Sequence, residues 1–151
     1  MKTFIARPTM NDAELIEASL IALDGREAAM RGLLFDRFFA RFPERRAIFI
    51  HVNATSVRMT DETLQWLYGL AQDRKWVWSQ VAELVFNHRN YGELRQDEYD
   101  VFVDFAIDAL RDTIDHWDAA TEGAWRRQAA TLKTLIARAR AEWAASPLAF
   151  S

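Results

Sequence analysis

Cysteine is absent from this 151-residue chain, and proline (three), glycine (five) and histidine (three) are scarce. Without cysteine there are no disulfides, no thiolate metal ligands, no cysteine nucleophile and no cofactor tethered through sulfur. So few glycines and prolines leave little turn chemistry for a many-stranded fold, and no long run alternates apolar and polar residues. Nothing approaches the roughly 18–20 consecutive apolar residues that span a bilayer. The run Phe4-Ile5-Ala6 is three residues long, too short for the core of a signal peptide, so a soluble cytoplasmic protein is expected. The formal net charge of -3 supplies neither a basic field for nucleic acid nor an acidic tail. Phosphate-binding glycine loops, a Gly-x-Ser-x-Gly elbow and an EF-hand loop are all missing.

What is present favours helix. Half the residues are apolar and 13% aromatic, enough for a full core and a lined cavity within one domain. Ala, Leu, Arg and Glu are abundant, which suits an all-α chain. The patterning predicts helices from about Asn11 to Leu23 and from Arg26 to Arg41, with Pro43 opening a short turn. Phe49 to Thr55 reads as irregular, and a helix from about Val57 to Asp73 follows, with Thr55, Ser56 and Thr60 all plausible N-caps. The next, about Val77 to Arg89, carries Val77, Val81, Leu84, Val85 and His88 on one face. The last two start near Asp97 and Asp118. Seven or eight helices of uneven length suit an irregular all-α fold better than a symmetric bundle.

Candidate chemistry is sparse. His51, His88 and His116 are too far apart for a helical two-histidine metal clamp. The acid pairs Asp61-Glu62 and Asp97-Glu98 fall where first helical turns are expected and there complement the helix dipole. His116 is expected to do the same near a helix C-terminus. His88 differs because it shares the inward face with Val81 and Leu84, and a buried imidazole needs partners for its ring nitrogens. Two readings are open: a hydrogen-bonded core histidine, or a metal ligand whose second nitrogen is oriented by a neighbour.

Four segments taken together resemble the globin family, in particular single-domain bacterial haemoglobins and the globin part of flavohaemoglobins. Phe35-Asp36-Arg37-Phe38-Phe39-Ala40-Arg41-Phe42-Pro43-Glu44 resembles the end of helix B running into helix C. Phe49, six residues beyond Pro43, matches the phenylalanine that packs flat on the haem. Val81 to Gly92 resembles helix F and its following turn, with a histidine and a glycine four residues later. Gly123-Ala124-Trp125 resembles a pair in helix H. The likeness runs from about residue 11 to 145, leaving residues 1–10 as an N-terminal extension of a single domain. It implies a three-over-three helical sandwich of seven to eight helices.

The resemblance also implies haem b held without a covalent link, His88 as axial iron ligand, and Leu84 beneath the porphyrin. Tyr91 or Tyr99 would shape the proximal side. The acid that some bacterial haemoglobins supply from helix H has no counterpart, since the neighbourhood reads Arg138-Ala139-Arg140. On the distal side Phe35 stands where a tyrosine is common. The inward helix E position falls at Met59 or Thr60, with Leu64 or Thr63 one turn on, and neither alignment brings a histidine or glutamine over the iron. His51 reads as an exposed loop histidine or a contact to a haem propionate. The tryptophans read as packing residues, with Trp76/Trp78 the candidate partner surface.

The function implied is reversible binding of oxygen, carbon monoxide or nitric oxide by a cytoplasmic monomer or homodimer, with no nucleic-acid or membrane partner. Nitric oxide dioxygenation would need a separate reductase, because no flavin or nicotinamide domain follows. The alternative is a haem-free or haem-sensing globin-like module that acts in signalling through a protein partner.

Overall fold

The computed structural model describes residues 9–145 apart from positions 50 and 93, and the side chain of Tyr91 also lies outside the described residues. Among them there are six α-helices, two short 3₁₀ turns and no strand. The helices are α1 (Asp12–Leu23), α2 (Glu27–Arg41), α3 (Val52–Ala71), α4 (Trp76–His88), α5 (Gln96–Thr113) and α6 (Ala119–Ala145). The turns are Pro43–Ile48 and Arg89–Tyr91. The protein is all-α. No described helix is long and apolar enough to cross a membrane.

Local chemistry explains most of the boundaries. At the start of α1 the Glu14 N–H donates to Asn11 Oδ1 at 2.8 Å, and the Asn11 N–H donates to Glu14 Oε1 at 3.0 Å. That reciprocal box satisfies two of the donors a helix leaves unpaired at its start. Asp118 caps α6 by accepting from the Thr121 N–H at 2.8 Å, a contact that holds its carboxyl below the usual range. Pro43 occupies the first position of its 3₁₀ turn, where its missing N–H is no loss.

One boundary departs from the sequence expectation. Residues 52–55, expected to be irregular, already belong to α3, which opens without a side-chain cap. Ser56 and Thr60, expected as caps, lie inside the helix: the Ser56 hydroxyl donates to Asn53 O at 2.9 Å, and Thr60 is 2% exposed. Asp61 and Glu62 therefore sit mid-helix and not in a first turn as expected, whereas Asp97 and Glu98 are in the first turn of α5.

The longest helix, α6, forms the spine. It packs against α1, α3, α4 and α5, while α2 lies across α5 and touches α3. Its buried face presents Trp125, Ala129, Leu132, Ile136 and Ala139. Fully burying a leucine- or isoleucine-sized side chain stabilises by roughly 1.5–3 kcal/mol. Trp125 is wholly buried, yet its indole N–H is satisfied by Ser19 Oγ at 3.1 Å, and the Ser19 hydroxyl in turn donates to Leu15 O at 3.1 Å. That chain fixes α1 on α6. The end of α3 approaches α4 closely at Gly69, where a Cβ would stand 2.8 Å from Val77 Cγ2. Only glycine fits that crossing.

Candidate functional site

The site begins with the period of α4. Val77, Val81 and Val85 are buried, and His88 continues their face into the last turn of the helix, where it is partly buried. The chain then leaves through the Arg89–Tyr91 turn and Gly92, whose φ of +90° lies where L side chains are disfavoured. A glycine four residues beyond the histidine is thus what lets the backbone turn away and leave the ring at the helix end.

His88 Nδ1 lies 3.1 Å from the hydroxyl of Tyr99, a buried residue of α5, and the two rings stack at 5.7 Å with 25° between their planes. Burial, reinforced by the positive charge of Arg58, holds His88 down at about 4. Burial pushes the Tyr99 phenol up to about 12; Arg140 opposes that rise and Glu98 adds to it. Both groups are consequently neutral near pH 7. In the tautomer with the proton on Nδ1, the imidazole donates to Tyr99 and keeps Nε2 as its basic nitrogen, the form in which histidine serves as a ligand.

His88 faces a cavity of about 750 Å³, open along one edge, between α2, α3, α4, α5, α6 and the Pro43–Ile48 turn. Leu84 and Tyr99 stand beside it on the wall, and Met59, Thr63 and Trp66 come from α3. Phe38, Phe49 and Phe102 close one end. Of the residues singled out from sequence, His88, Leu84, Tyr99, Phe49 and Met59 share this cavity. Phe35, Thr60 and Leu64 are buried but do not line it. Phe35 is packed behind the wall, with ring centroids 5.8 Å from Phe49 and 5.6 Å from Phe102, and Phe38, also buried, lines the cavity in its place. Thr60 points into the core, where its hydroxyl has no hydrogen-bond partner among the described residues.

Two polar contacts at the wall were not foreseen. The Trp66 indole N–H donates to Gln80 Oε1 at 2.8 Å, bridging α3 and α4. Glu98, 3% exposed, receives Arg45 in a forked pair at 2.7 and 3.0 Å and also meets Arg95 at 3.3 Å. The first clamps the walls together and the second fastens the Pro43–Ile48 turn to α5. Sequence shows Glu98 only as half of an acid pair; its partner is 53 residues away. His51 and Arg58 are exposed residues that also reach the cavity, so they mark its open edge.

Among the described residues no cluster of three His, Asp or Glu side chains could chelate a metal ion. A metal held by His88 would have to bring most of its ligands in a prosthetic group. Elsewhere, Trp78 is covered by the Arg138 guanidinium at 3.9 Å, and Trp76 is 43% exposed. His116 is exposed between α5 and α6. No protein-family model matches the chain, and comparison with curated proteins and with solved structures likewise finds no match.

Proposed function

We propose that the chain is a globin-like protein that holds haem b non-covalently through His88 and reversibly binds a diatomic gas. The observation that carries this reading is a neutral imidazole, bonded to Tyr99, on the wall of a cavity of about 750 Å³ that has apolar as well as polar lining. Sites that engulf whole cofactors span roughly 300–1,000 Å³. Helices packed pairwise around one such cavity are the arrangement of the globin fold, and we read this all-α fold as its three-over-three sandwich.

The residues present fit the group. Haem would supply a redox-active iron with a coordination position open to a gas. Leu84, Phe38 and Phe49 offer apolar surface to a flat macrocycle, and His51 and Arg58 at the open edge suit its carboxylates. Tyr99 is a neutral acceptor toward His88 and not a carboxylate, which leaves the imidazole less electron-rich and favours simple binding over peroxide chemistry.

The α3 wall tunes which gas is retained. The Thr63 hydroxyl already donates to Met59 O at 2.7 Å, the Trp66 N–H is committed to Gln80 at 2.8 Å, and Met59 has no proton to give. A hydrogen bond from a donor to a charged or strongly polar ligand is worth about 1.5–3 kcal/mol, or on the order of tenfold to a hundredfold in affinity. Dioxygen depends on such a donor more than carbon monoxide or nitric oxide does. Without a donor from these three residues the latter two are favoured, and nitric oxide dioxygenation ranks below simple binding.

The test is the absorption spectrum of protein produced with ample haem. A Soret band that is lost or displaced in His88→Ala supports the reading. A wild-type protein without the band, or one whose band is indifferent to His88→Ala, refutes it and leaves a haem-free module working through a protein partner.

A further inference from the structure

A second cavity, of about 790 Å³, adjoins the first and shares His88, Asn90, Leu94 and Tyr99 with it. It lies between the end of α4, the Gly92 turn, the start of α5 and the last turns of α6. Val85, Phe86, Leu94 and Trp143 give it an apolar side, and Arg140 and Gln96 stand on its polar side with Tyr99. No acidic side chain is among the described residues that line it.

Arg140 is the informative group. It is half-buried, and its hydrogen bond goes to the neutral Oε1 of Gln96 at 3.2 Å. Among the described residues it has no carboxylate partner, whereas Arg45, Arg126 and Arg127 are each paired with acids from other helices. Its charge is nonetheless felt at the Tyr99 phenol. A guanidinium on a cavity wall with no carboxylate beside it offers an anion a forked, charge-assisted set of donors. The apolar side, where Phe86 and Trp143 pack on each other with centroids 4.6 Å apart beside Val85 and Leu94, offers a hydrocarbon chain a surface that a small inorganic anion would not use.

We propose that this cavity binds an amphipathic monocarboxylate of the fatty-acid type, its head on Arg140 and the Tyr99 hydroxyl and its chain along Val85, Phe86, Leu94 and Trp143. A carboxylate that accepts the Tyr99 proton leaves the phenol oxygen to accept from His88 Nδ1. One hydrogen bond then joins the two cavities. The site does not depend on whether the first cavity carries haem.

Calorimetric titration of the purified full chain with octanoate, and with 1-octanol as the uncharged probe of equal length, tests the proposal. Octanoate is expected to bind saturably at one site, with octanol and the Arg140→Gln variant each weakening binding roughly tenfold or more. Ala141→Trp, a substitution at an exposed position on the cavity lining, is expected to block octanoate without touching the core, so the site is tested even where Arg140→Gln lowers stability. Absence of saturable octanoate binding to the wild type, equal affinity in Arg140→Gln, or binding undisturbed by Ala141→Trp would overturn it.

Discussion

Lowering the pH of the haem-free protein from 7.5 to 5 passes through the window in which His88 distinguishes the folded from the unfolded chain. The ring takes up a proton near pH 6.5 when unfolded and only near 4 when folded, because burial and the charge of Arg58 disfavour the cation. Above the unfolded value both states are neutral and stability is complete. As pH falls, the unfolded chain binds a proton that the folded one refuses, and stability is lost until the folded ring titrates near 4. At pH 5 the two proton affinities translate into about 2 kcal/mol lost, and full acidification into about 3 kcal/mol. Urea unfolding of wild type and His88→Leu at both pH values isolates this part, because the carboxylates titrate alike in the two proteins. Wild type should lose about 2 kcal/mol more than the variant between pH 7.5 and 5. Equal losses, within about 0.5 kcal/mol, would show that the histidine is not held neutral by its surroundings and would remove the argument that it is poised as a ligand.

Three further outcomes follow from the same contacts. Arg45→Met should cost about 3 kcal/mol in denaturant unfolding, since it takes the forked partner from the buried Glu98 and leaves it the exposed Arg95, while Arg95→Met should cost about 1 kcal/mol or less; equal effects would contradict the assigned roles. In haem-loaded protein, Met59→Gln places a donor at a position that has none and should slow oxygen dissociation on the order of tenfold in stopped-flow measurements, with carbon monoxide little changed; an unchanged oxygen rate would place Met59 away from the bound gas. Gly69→Ala drives a Cβ to 2.8 Å from Val77 Cγ2 and 3.1 Å from the Trp76 ring and should destabilise by roughly 1–3 kcal/mol by thermal unfolding, a neutral result showing that α3 and α4 separate readily.

Helix positions were legible because they depend on local signals. Asn11 with Glu14, Pro43 and Asp118 announce helix starts through hydrogen bonds that span three or four residues. The start of α3 was not legible: no capping side chain marks Val52, and the nearby hydroxyls of Ser56 and Thr60 look like caps but lie inside the helix. His88 stood out for the same local reason, an inward period on α4 that ends at a histidine before a glycine. The partners of His88 and Glu98 did not, since Tyr99 and Arg45 reach them from other helices.

The sequence by itself determined an all-α chain, the inward face of α4 and the place of His88 at its end, because helical periodicity and capping are short-range. Only the tertiary structure decided which residues share a cavity with that histidine. Met59 and Thr60, or Phe35 and Phe38, are separated by one or three residues, and which of each pair faces the cavity is set by how α2 and α3 are rotated against α5 and α6. It also decided that the Thr63 and Trp66 donors are spent on Met59 O and Gln80, and that Arg140 stands beside a second cavity without a carboxylate partner among the described residues. Rotation of a helix is a property of packing, shared among all the side chains at the crossing, and no single segment carries it.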